Sequence, residues 1–86
     1  MSMNFPNRSR SFNPERMSIT FWGSDRTLEV TFEVDQSVFM LIDSEATTED
    51  DYLHVFDANR QLIEAAAVRA YEANTDTFYI LNKDDL

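Results

Sequence analysis

The chain reads as an α+β domain of order β-β-α-α-β: a three-stranded, mainly antiparallel sheet, two helices on one face, and an extended N-terminal arm. Three observations predict it. Two segments of period-two alternation stand close together near the start, a long helical stripe occupies the second half, and a short β-rich run follows it.

Residues 1–16 form the arm and residues 17–86 the single domain. The arm is rich in Asn, Ser, Arg and Pro, and Pro6 and Pro14 each bias the preceding residue away from helix. Phe5 and Phe12, spaced along it, imply that it docks on the body. Met17 to Trp22 then alternates, with Met17, Ile19 and Phe21 opposite Ser18, Thr20 and Trp22. Thr27 to Val34 alternates more cleanly, with Leu28, Val30, Phe32 and Val34 opposite Thr27, Glu29, Thr31 and Glu33. Gly23-Ser24-Asp25-Arg26 between them has turn chemistry, so the pair is expected to be a β-hairpin.

Asp35 is placed to cap a short helix carrying Val38, Leu41 and Ile42. Thr47 or Thr48 caps the long helix, whose first turn holds Glu49, Asp50 and Asp51 at its positive dipole end. That helix is expected to run to about Ala73, with Asn74 as its stop. At 100° per residue Tyr52, Leu53, Phe56, Ile63, Ala67, Ala70 and Tyr71 form one stripe. Arg60 breaks the pattern, projecting about 40° from Phe56 inside the stripe. A guanidinium there needs a carboxylate, backbone carbonyls, a partner or an escape to water. Glu64, one turn on, and Asp57 are the local candidates. Thr77 to Leu81 is the third strand, apolar on both sides, with Phe78 and Ile80 on one and Tyr79 and Leu81 on the other.

Composition narrows the chemistry. A hydrophobic share of 43% is that of a chain with a core rather than a disordered one. With no Cys and one His, thiol catalysis and disulfides are excluded, and neither zinc nor any other metal or cofactor is expected. His54 falls on the solvent side of the wheel. One Gly cannot build a phosphate-cradling loop. The acids from Asp43 to Asp51 lack the spacing of a calcium loop, and helix capping accounts for three of them. Residues 1–16 show no apolar run of the signal-peptide kind, and no stretch approaches a membrane span, so a cytoplasmic protein without membrane contact is expected.

Net charge is −9, unevenly placed: the first sixteen residues carry three Arg against one Glu, the remainder four basic against fifteen acidic side chains. Such a body repels nucleic acid, leaving a nucleic-acid-associated regulator as a minor alternative resting on Arg8, Arg10 and Arg16. A single helical layer cannot cover both faces of the sheet. Trp22, Tyr79 and Leu81 are therefore expected on the outer face, covered by the arm through Phe5 and Phe12 or by a second copy in a homodimer.

The segments Phe5-Pro6-Asn7-Arg8-Ser9-Arg10-Ser11-Phe12, Phe21-Trp22-Gly23, Leu28-Glu29-Val30 and Phe56-Asp57-Ala58-Asn59-Arg60, followed by Ala70-Tyr71, together resemble domain-of-unknown-function family 1488. The resemblance covers nearly the whole chain. It implies a short bacterial protein of compact α+β fold, and it implies no activity, cofactor or catalytic residue. Arg10, Trp22, Asn59 and Arg60 match positions typical of the family pattern. The acidic stretch from Asp43 to Asp51 and the tail after Leu81 are where members are expected to differ.

The expectation for function is a non-enzymatic protein-interaction or regulatory module with an unknown protein partner. A small anion-binding domain is the alternative, using Arg60 with Asn59 and Arg10. An enzyme built on a carboxylate acid–base pair is a third reading, for which no pair stands out among so many acids.

Overall fold

The computed structural model describes residues 3–86; Met1 and Ser2, the start of the expected arm, lie outside the described residues. Five strands and three helices follow in the order β1 (Met3–Asn4), β2 (Arg10–Asn13), β3 (Ser18–Asp25), β4 (Leu28–Val34), α1 (Gln36–Ile42), α2 (Glu49–Ala58), α3 (Arg60–Ala73) and β5 (Phe78–Leu81). A short 3-10 turn, Lys83–Asp85, closes the chain. Among the described residues no helix is long and apolar enough to cross a membrane.

The α+β class is as expected, but the sheet is larger and mixed. The arm is part of it: β1 and β2 both pair antiparallel with β3, at Met3↔Asp25 and at Arg10↔Phe21 through Asn13↔Ser18. Between them the chain leaves the ladder over Phe5–Ser9, where Pro6 lacks the amide a ladder needs. The hairpin β3–β4 runs from Ile19↔Val34 to Asp25↔Leu28. Its turn is therefore Arg26-Thr27 rather than the Gly23–Arg26 stretch, with Arg26 at a positive φ of 61°. β5 lies beside β4 and parallel to it, because the three intervening helices return the chain to its starting end.

Gly23 serves packing, not a turn. It is buried within β3, and a Cβ placed on it would stand 2.9 Å from Cε1 of Phe5. The missing side chain lets the Phe5 ring lie on the sheet beside Phe21 and Phe32, at centroid distances of 5.9 and 6.3 Å. Phe12 meets Tyr52 of α2 edge-on at 5.7 Å. Both arm aromatics thus sit on the helix-covered face, not on the outer face assigned to them from the sequence.

The core joins Ile19, Phe21, Val30, Phe32 and Val34 of the central strands to Val38, Phe39, Tyr52, Val55, Phe56, Ile63, Ala67 and Tyr71 of the helices. Asp35 caps α1, accepting from the Ser37 amide at 3.1 Å. The buried residues of α1 are Val38 and Phe39, whereas Leu41 is 59% exposed. Thr48 caps α2 in a capping box with Asp51, satisfying two otherwise orphaned amides.

The expected single long helix is two. Asn59, at φ −117° and ψ 21°, interrupts it, and its Nδ2 donates to the Val55 carbonyl at 2.9 Å. Its own carbonyl then accepts the first bond of α3, from the Ile63 amide at 3.0 Å. The break leaves the apolar stripe nearly in phase, which is why Phe56 and Ile63 still face one core.

Candidate functional site

Two surfaces hold some of the residues singled out from the sequence, while Phe5, Phe12, Tyr79 and Leu81 pack inward against the core. The first lies where the α2–α3 break meets the arm. Arg60 is buried despite its charge, with 8% side-chain exposure. Its Nε donates to Glu64 Oε2 at 2.9 Å, its Nη1 to the Arg8 carbonyl at 3.2 Å, and its guanidinium carbon lies 5.0 Å from the centroid of the Phe56 ring. Its Nη2 is sealed from solvent and has no hydrogen-bond partner among the described residues. An ionised buried donor left unmatched is costly, so such groups call for an explanation.

Arg10 grips Asp57 with two parallel bonds, Nε to Oδ1 at 2.9 Å and Nη2 to Oδ2 at 2.8 Å. These hydrogen bonds raise the Arg10 guanidinium further above its ordinary value. Both side chains stay at least one-third exposed, so the pair contributes about 0.5–1 kcal/mol and acts mainly as a latch between β2 and α2. Arg10 is committed there, and Asn59 turns its side chain back onto α2. Of the three expected ligand groups, Arg60 is the one with a buried donor left unmatched among the described residues.

Arg8 takes the place expected of Arg10. It is 68% exposed and reaches Glu64 Oε2 at 3.5 Å. With Asp57, Ala58, Asn59, Arg60, Gln61 and Leu62 it lines a hollow of about 520 Å³ at the start of α3. In the sequence Arg8 and Arg10 are equivalent, both polar members of an arm; only the register of β2 on β3 separates them.

The second surface is the outer face of the sheet. The registers Trp22↔Thr31 and Thr31↔Phe78 set these three side chains in a row across β3, β4 and β5. Beside it Thr20, Glu33 and Ile80 form a parallel row. Glu33 is nearly buried, accepting from Ser18 Oγ at 2.7 Å and Arg16 Nε at 2.6 Å. Phe78 and Ile80 are 50% and 48% exposed.

The faces of β5 are thus the reverse of the sequence assignment. Tyr79 stacks on Phe32 at 5.5 Å and donates its hydroxyl to the Asn74 carbonyl, while Leu81 is buried in the core. Parallel pairing of Phe32 with Tyr79 dictates this, since paired residues share a face. Trp22 keeps its expected outer position but is half-covered. It lines a hollow of about 240 Å³ with Pro6 and Asn7 of the arm and Gly23, Ser24, Thr27 and Glu29 of the hairpin.

A family model described as "Protein of unknown function (DUF1488)" matches residues 3–81. The chain belongs to the DUF1488 family. The DUF1488 match runs from β1 to the end of β5, so it takes in the Arg8–Arg60 hollow and the Trp22–Phe78 row alike. No curated protein and no solved structure matches the chain.

Proposed function

We propose that the protein is a non-catalytic interaction module that works through β5, the edge strand of its sheet, and the apolar side chains it presents on the outer face, with a second copy of the chain as the first partner. The observation that carries this reading is the pair Phe78 and Ile80, half exposed on an edge strand whose inner side chains Tyr79 and Leu81 are committed to the core. Exposed apolar side chains on an unpaired strand edge favour strand addition, in which backbone hydrogen bonds supply affinity and alternate side chains supply fit. A second copy suits the site because β5 set antiparallel to its own counterpart is self-complementary. Phe78 and Ile80 then meet their equivalents, and Trp22 lies two strands away on the same face, beyond Thr31 of β4.

Light scattering on a sizing column, comparing wild type with Phe78→Ser/Ile80→Ser, tests this. The expected result is a wild-type dimer that the double substitution dissociates. A wild-type monomer throughout the micromolar range would refute self-association, and a dimer unaffected by the substitutions would move the interface elsewhere.

A further inference from the structure

The hollow at the α2–α3 break is a separate matter, and we infer that it binds the oxyanion group of a small phosphorylated molecule, held by Arg8, Arg60 and the first-turn amides of α3. The inference does not depend on the sheet-face reading.

The helix start is the first element. The amides of an initial helical turn have no intrahelical partner, and together with the helix dipole they favour an anion. Asn59 provides no side-chain cap to α3, because its amide group is turned back to Val55. The amides of Arg60, Gln61 and Leu62 precede the first bond of the helix, and all three residues line the hollow.

The second element is independent. Arg60, which also lines the hollow, keeps Nη2 as a buried donor without an acceptor among the described residues. Nη2 is sealed from solvent in this structure, so an oxyanion seated on the first turn becomes its acceptor only when the exposed Arg8 side chain swings from Glu64 onto the ligand and the Arg60 guanidinium turns toward it. Arg8 has little to lose, since its contact with Glu64 is long at 3.5 Å, and Glu64 keeps Arg60 as its partner.

Local charge agrees. Three guanidinium groups, Arg8, Arg10 and Arg60, meet two carboxylates, Asp57 and Glu64. The hollow is thus locally cationic on a chain of net charge −9. Asp57, the one acid in its lining, is already matched by Arg10. A tetrahedral dianion suits donors converging from a helix end and two arginines better than a planar carboxylate does. A volume of about 520 Å³ also exceeds what the anion alone would fill, leaving room for an organic substituent.

The test is an amide-resolved NMR titration of the full chain with inorganic phosphate and with phenyl phosphate, at constant ionic strength against chloride. Saturable shifts at Arg60, Gln61 and Leu62 are expected, and Arg8→Gln should weaken them about tenfold, the scale of one charge-assisted hydrogen bond. Arg8 is exposed, so the variant should keep the wild-type spectrum elsewhere. Tighter binding of phenyl phosphate identifies an organic phosphate as the ligand, and equal binding identifies the free anion. Shifts that chloride reproduces, shifts that never saturate, or binding unchanged in Arg8→Gln would overturn the assignment.

Discussion

Gly23 and Phe5 give the most stringent test of how the arm is held. In an ordinary strand Gly→Ala is favourable by about 0.5–1 kcal/mol, because alanine has less conformational freedom to lose. Here the new Cβ would stand 2.9 Å from the Phe5 ring and 2.5 Å from Met3 Sδ. The sulfur ends a flexible chain and can move aside. The ring is fixed between Phe21 and Phe32 and cannot, so Gly23→Ala should cost about 1–3 kcal/mol, the usual range for overpacking. For this size of chain that lowers the melting temperature by roughly 4–8 °C per kcal/mol. Phe5→Ala alone should cost about 2–3 kcal/mol, below the full-burial range because the ring is only half-buried. In the Phe5→Ala background the obstacle is gone, and Gly23→Ala should become neutral or mildly stabilising. The difference between backgrounds gives a coupling of about 1–4 kcal/mol in a double-mutant cycle. Urea denaturation followed through Trp22, the only Trp and the neighbour of Gly23, measures all four corners. An equal penalty for Gly23→Ala in both backgrounds, or none in the wild type, would refute the packing role.

Two further predictions concern pH. Asp35 is held below the usual carboxylate range chiefly by the Ser37 side chain, and Asp51 by the Thr47 and Thr48 amides. Their contribution is therefore present above the ordinary carboxylate pKa and lost as pH falls through the lowered folded values. Acid unfolding should begin at higher pH in Thr48→Ala, whose capping box is broken, and an unchanged acid limb would count against the cap. Tyr71 donates to Asp25 at 2.7 Å, and this bond raises the phenol above its ordinary 10.0. Its contribution is complete below that value and disappears as pH rises through the raised one, so Tyr71→Phe should flatten the alkaline limb of the stability profile.

The hairpin and the helices were legible because their one-sided burial writes itself into the residue pattern. Val30, Phe32 and Val34 could face only inward with Glu29, Thr31 and Glu33 opposite them. The first face of β5 was not legible, since Phe78, Tyr79, Ile80 and Leu81 are apolar in both registers and only the pairing of Phe32 with Tyr79 decides between them. Nor was the number of strands: the arm's pairing is a backbone property, and Arg10 to Asn13 has no alternation to announce it. The helix break was hidden by a stripe that continues through it, although Asn59 was already in view. Arg60 stood out from the sequence as a charge inside an apolar stripe. What it touches depends on where the arm lies, which the wheel does not contain.

The two borders of the sheet are unequal. Along one, β1 and β2 are separated by the Phe5–Ser9 excursion, and its proline denies an approaching chain a continuous template. Along the other, β5 is regular but only four residues long. Two molecules that join β5 to β5 use up the regular border of both, and the interrupted border offers nowhere for a third to add. If the proposed β5 contact forms, growth that could in principle run on into a filament would stop at a closed pair, so a segment with no part in the contact would determine how many copies assemble.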